Sequence, residues 1–153
     1  MLNKITLNIN RENRNVTVRA SDTLLYTLRE LGLTGAKRGC ENGDCGACTI
    51  TIDGWPIKSC ITLSVEEVGK QIITIEGLKN SPIQKAFIEN AAFQCGFCTP
   101  GFIMNCDALV KIKPHADKKT IEEWLSSNIC RCTCYQEIQK AVNMVLKNNR
   151  GAI

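Results

Sequence analysis

The chain has 153 residues, enough for one or two small domains, and its 44% hydrophobic content is that of a globular rather than a disordered protein. Aromatic residues are only 5%, so the core must be aliphatic; the formal charge of +4 comes from Lys and Arg spread along the chain, which gives no case for nucleic acid. Residues 1–20 are cut by Asn8, Asn10, Arg11 and Glu12 and form no apolar signal segment, and no apolar run is long enough for a membrane helix, so a cytoplasmic location is expected.

Lys4 to Asn10 alternates apolar and polar residues, with Ile5, Leu7 and Ile9 on one face of a half-buried strand. The polar Arg11–Asn15 segment is expected to turn, and Val16 to Val18 to return as the second strand of a hairpin. Ser21 or Asp22 is expected to cap a helix carrying Leu24, Leu25, Leu28 and Leu31, which Gly32 ends. A glycine-rich loop follows, then a strand over Thr49–Ile52, an Asp53-Gly54 turn leading to Ile57 and Cys60, and a last strand over Gln71–Ile75. This order matches a β-grasp, the arrangement of plant-type ferredoxins.

That glycine-rich loop carries C-E-N-G-D-C-G-A-C, and eleven residues separate its last cysteine from Cys60. The pattern C-x4-C-x2-C-x11-C gives Cys40, Cys45, Cys48 and Cys60, and its first three members match plant-type [2Fe–2S] spacing. Soft thiolates hold iron in tetrahedral sulfur coordination, and such a cluster takes four of them. Gly39, Gly43 and Gly46 let the backbone fold tightly and point N–H groups inward at anionic sulfur. The rival reading is a zinc site, but zinc sites pair one C-x2-4-C with a second, and here only Cys45 and Cys48 fit that spacing.

Glu76 to Asn80 reads as a linker, and four helices are expected beyond it, over 82–92, 101–112, 120–128 and 135–147. Ser81-Pro82 starts the first, with Ser as cap and Pro at the first helical position, and Lys113-Pro114 separates the second from the third. Cys95 and Cys98 precede the second helix and Cys130 and Cys132 the fourth, so helix–cysteines–helix occurs twice, with Thr99 and Thr133 as expected caps. Helix N-termini favour an anionic group. The rival is a single C-x-x-C pair with two unrelated cysteines. Each half has about 75 residues, and a metal centre would staple each one. The expected class is therefore α+β: an N-terminal β-grasp, plant-type ferredoxin-like domain over residues 1–77, then an all-α four-helix domain over 78–153.

Taken together, C-E-N-G-D-C-G-A-C-T, Q-C-G-F-C-T-P-G at 94–101 and N-I-C-R-C-T at 128–133 resemble the small iron–sulfur subunit of the xanthine oxidase family of molybdenum hydroxylases. The resemblance covers nearly the whole chain. It implies two [2Fe–2S] clusters here and, on partner chains, a molybdopterin cofactor and FAD in a hetero-oligomer. Electrons would pass from molybdenum through the helical-domain cluster, then the plant-type cluster, to FAD. Gln94 matches the family glutamine beside the pterin, and Cys132 the ligand nearest to it. Two clusters of net charge about −2 each would also bring the formal +4 to about zero. One departure is Cys134, which stands where the family pattern C-R-C-T-G-Y has glycine. No G-x-G-x-x-G occurs, so no dinucleotide fingerprint lies in this chain.

The remaining residues invite plainer readings. His115, beside Pro114, is a surface residue; Cys106 is a small buried hydrophobe; Trp55 and Trp124 could serve a partner interface or the core equally. No nucleophile–base pair can be picked out from the sequence, so no catalytic residue is assigned. Two other functions remain open: a free-standing two-cluster ferredoxin, and a zinc-binding interaction module.

Overall fold

Residues 2–133 and 135–150 are described by the computed structural model; Cys134 lies outside them. Alternating side chains build an antiparallel hairpin from β1 (Leu2–Ile9) and β2 (Glu12–Arg19), with Leu2 opposite Arg19 and Ile9 opposite Glu12. Its turn is only Asn10 and Arg11, at φ 54° and 70°. A two-residue turn of this kind matches the right-handed twist of the strands. The second strand therefore begins at Glu12, not Val16. The expectation of a longer turn misread polar residues on the solvated face: Asn13 and Asn15 bond across the ladder to Asn8 and Thr6.

The helix α1 (Leu24–Glu30) is capped by Thr23, whose hydroxyl accepts from the Tyr26 amide, rather than by Ser21 or Asp22. Asp22 is engaged instead by the backbone N–H and guanidinium of Arg19. Strands β3 (Thr49–Ile52) and β4 (Trp55–Lys58) meet at Asp53 and Gly54, as expected. The short β5 (Gln71–Ile73) lies parallel to β1 and antiparallel to β3, giving a mixed sheet of order β2-β1-β5-β3-β4. Leu24, Leu25 and Leu28 of α1 pack on Leu7, Ile9, Ile50 and Ile72.

Beyond a 3-10 turn at Ile75–Gly77 come α2 (Pro82–Glu89), α3 (Thr99–Ile112), α4 (Lys118–Leu125) and α5 (Gln136–Arg150). Ser81 and Gln84 form a reciprocal capping box at the start of α2. Asp117 caps α4, which starts two residues before the Thr120 expected from periodicity. Thr99 is the first residue of α3 and not its cap; that place belongs to Cys98. These helices enclose a second core around Ile83, Phe87, Phe102, Leu109, Ile121 and Val142. Trp124 packs against it and donates to the Asn105 carbonyl at 3.1 Å, whereas Trp55 stands exposed. Cys106 is fully buried there, and burial pushes its thiol far up.

The two cores touch along one seam. The start of α3 lies against β3, and a Cβ on Gly101 would collide with the Gly46 carbonyl oxygen. Only glycine permits that approach.

Candidate metal centres

Residues 37–48 wrap the first three cysteines without regular structure, anchored where the Lys37 amide donates to the Ala47 carbonyl at 3.0 Å. The backbone amides of Cys40 and Cys45 point at each other's sulfurs, at 3.4 Å and 3.3 Å. The amides of Cys45 and then Asn42 bring the Cys40 thiol down to about 7. Cys60 reaches the loop from the 3-10 turn Ser59–Ile61 after β4. Burial, then its bond with the Cys48 thiol, pushes Cys60 up to about 12, against a donor from the Gly43 amide. Gly39 has a steric reason: a Cβ there would lie 2.6 Å from Cys45 Sγ. Cys48 and Cys60 face the core while Cys40 is exposed, so this set has a dry side and an open side.

The second set comes from two helix starts. The Sγ atoms of Cys95 and Cys132 are 3.5 Å apart, and the thiols of Cys98 and Cys130 are hydrogen-bonded. Each pair takes one member from the segment before α3 and one from the segment before α5, which is what matched helix–cysteine–helix units require. Burial, then the Cys130 neighbour, pushes the Cys98 thiol up to about 12. Burial also works to raise Cys130, but the Thr133 hydroxyl at 3.1 Å and amide at 3.3 Å outweigh it, so that thiol is lowered. The contact with Cys95 raises Cys132. Cys130 is buried, whereas Cys95 and Cys132 are exposed beside Gln94 and the exposed rings of Phe93 and Phe97.

The two sets meet at the seam. The Ile129 amide donates to the Cys45 carbonyl at 2.9 Å, linking the residue before Cys130 to a cysteine of the first set. Buried Asn128 donates to the Gly46 carbonyl at 2.9 Å. Lys58, at the end of β4, donates to the Ser127 carbonyl and to Asn128 Oδ1. Burial lowers the Lys58 ammonium, while the thiols of Cys48, Cys45, Cys60 and Cys40 act to raise it. Sequence reasoning singled out neither Lys58 nor Gly101. Asn128 lies within the quoted N-I-C-R-C-T run, but no role followed from it.

Among the described residues no three His, Cys, Asp or Glu side chains converge on the space of a single ion. The thiols stand in pairs instead, and a binuclear centre distributes its four thiolates as two pairs. All-sulfur donor sets ringed by backbone N–H groups suit an anionic iron–sulfur group. The Thr99 hydroxyl oxygen, next to Cys98 in the chain, is buried without a partner, an orphaned polar atom beside the second set. The residues fit.

Two family models tile the chain: "2Fe-2S iron-sulfur cluster binding domain" over residues 7–72 and "[2Fe-2S] binding domain" over residues 74–143. The nicotine 6-hydroxylase small subunit of Paenarthrobacter nicotinovorans is 46% identical, over 91% of this chain and 87% of its own length. The nicotinate dehydrogenase small FeS subunit of Eubacterium barkeri is 41% identical, over 95% and 98%. Among solved structures, quinoline 2-oxidoreductase from Pseudomonas putida 86 superposes with a TM-score of 0.90 at 39% identity, covering 98% of this chain and 97% of that one. Aldehyde oxidoreductase from Desulfovibrio gigas superposes at 0.91 with 35% identity; 98% of this chain is covered, but only 17% of that much longer one. With identity of this order along almost its whole length, the chain belongs to the small [2Fe–2S] iron–sulfur subunits of the xanthine oxidase family of molybdenum hydroxylases.

Proposed function

We propose that the chain is the electron-transfer subunit of a molybdenum hydroxylase, working in a hetero-oligomer with a molybdopterin-binding chain and an FAD-binding chain. Cys40, Cys45, Cys48 and Cys60 hold one [2Fe–2S] cluster in a β-grasp domain over residues 1–77. Cys95, Cys98, Cys130 and Cys132 hold the other in a four-helix domain over 78–153. The observation that carries this reading is the pair of thiol sets, each open on one side and dry on the other, with the residue before Cys130 hydrogen-bonded to the Cys45 carbonyl at the seam.

When bound, each cluster takes up one electron and gives it back. The chain supplies the rest. Its thiolates bind, and the amides of Cys45 and Thr133 offset the negative charge on Cys40 and Cys130. Burial of Cys48, Cys60 and Cys130 keeps water from the inner faces. The exposed edge at Gln94, Cys95 and Cys132 is assigned to the molybdopterin chain, and the edge at Cys40 to the FAD chain. Hydroxylation belongs to the partner chain, and no side chain here is given a catalytic role.

Iron and sulfide analysis tests this. The purified protein should hold about four irons and four acid-labile sulfides and, when reduced, show two distinguishable paramagnetic signals. Colourless, zinc-loaded protein would refute it. A fragment ending at Leu78 that keeps one cluster supports the domain boundary; loss of all its iron counts against it.

A further inference from the structure

Lys58 is a half-buried cation for which, among the described residues, no Asp or Glu forms an ion pair. An ammonium withdrawn from water needs compensating negative charge. Its direct partners, the Ser127 carbonyl and Asn128 Oδ1, are both neutral. The ammonium stands against the cysteine loop: a Cβ on Gly46 would come within 2.7 Å of Lys58 Nζ. Gly46 lies between Cys45 and Cys48 in that loop, and Lys58 itself stands two residues before Cys60, so the ammonium sits amid the members of the N-terminal thiol set. Strand pairing fixes this placement, because β4 holds Lys58 opposite Thr49, next to Cys48 in the chain.

We propose that Lys58 is a positioning residue, the built-in counter-cation of the N-terminal thiolate set, which makes that centre easier to reduce and latches residues 127–128 onto it. The proposal rests on the ligand assignment above. An electron added to the centre increases the negative charge facing Lys58, and the attraction between them grows with it. The same ammonium holds the seam, so reduction and docking of the helical region reinforce each other. Ser127 lies just beyond α4, where a helix presents its unpaired carbonyls and favours a cation.

Potentiometric titration of the intact, iron-loaded protein tests this, following both paramagnetic signals in wild type, Lys58→Met and Lys58→Arg. Lys58→Met should disfavour reduction of the N-terminal centre by about tenfold, or 59 mV for one electron, and move the other signal less. Lys58→Arg keeps the charge and should stay near wild type. Protection of the Ile129 amide from hydrogen exchange should fall in Lys58→Met and hold in Lys58→Arg. Unchanged reduction equilibria in fully loaded Lys58→Met overturn the proposal, as do equal shifts in both variants, which would make the side chain a packing element only. If Lys58→Met loses the N-terminal iron while Lys58→Arg keeps it, the charge requirement stands; loss in both overturns it. Wild-type protein without two iron–sulfur signals would instead overturn the ligand assignment, before any variant is compared.

Discussion

The two cysteine sets reach similar arrangements by opposite routes. The first closes within a short stretch of chain, where Gly39 and crossed backbone N–H bonds shape the loop and Cys60 completes it from the end of the next hairpin. The second is held apart in sequence and brought together only when the segments before α3 and α5 meet, as at Cys95 and Cys132. A local set depends on backbone geometry; a distant one depends on helix packing. The first should therefore survive damage to the helices better than the second.

The sharpest break in that comparison removes one ligand from each set. In complexes checked for integrity, Cys45→Ser should lose the N-terminal iron, yet still allow substrate to reduce the helical-region centre while FAD reduction becomes slow. Cys98→Ser should lose the other half of the iron and block everything downstream, by orders of magnitude. Rapid-mixing spectra after substrate addition read this directly, and the reverse pattern would invert the assigned order of flow.

Gly101→Ala attacks the seam from the helical side, forcing a methyl group against the Gly46 carbonyl. Overpacking of this kind should cost up to about 3 kcal/mol in denaturant unfolding. Because the contact joins the regions, both centres should bleach earlier. Bleaching of the helical-region centre alone would mean that the seam carries little coupling. Asn128→Ala should be milder, about 1 kcal/mol, since it removes one hydrogen bond, introduces no clash and leaves the Gly46 carbonyl its donors from the Thr49 amide and hydroxyl; an unchanged midpoint would count against the bond.

The smallest effect is pH-dependent and local to the sheet region. Partial burial works to raise the Glu76 carboxyl, but the Thr74 hydroxyl and the Gly35 amide outweigh it and hold it below 4.5. A carboxyl depressed by folding contributes stability that is complete above its unfolded value and lost as pH falls through the folded one. The unfolding difference between wild type and Glu76→Gln should thus be constant near neutrality and close on the acid side. A gap that persists in strong acid would contradict that origin.

Local features were the legible ones. Cysteine spacing marked both sets, Ser81-Pro82 marked the start of α2, and Asp53-Gly54 marked the second hairpin turn. Polar residues misled where a surface strand and a loop share composition: Asn13 and Asn15 read as turn yet lie within β2. Capping residues shifted by one or two positions because Thr23, Ser21 and Asp22 all have suitable oxygens, and spacing does not show that Arg19 engages Asp22. The seam contacts left no pattern, although Gly101 and Asn128 fall within the motifs at 94–101 and 128–133. Lys58, Gly101 and Asn128 act on partners far along the chain, and neither period nor motif records a contact of that kind.

That sequence distance has a kinetic consequence. Asn128 and Gly46 are 82 residues apart, and every residue of the first core, from Leu7 to Ile72, precedes α2. As the chain emerges, the sheet can assemble with Thr49 already donating to the Gly46 carbonyl and the Cys45 carbonyl still bound to water, so the seam closes last. Contacts absent from the transition state govern escape from the folded state rather than entry into it. Asn128→Ala should accordingly quicken unfolding in stopped-flow measurements and leave the folding limb in place; slowed folding would put the seam in the nucleus. The bond across the seam is then a clasp that sets how long the finished molecule holds its two centres side by side.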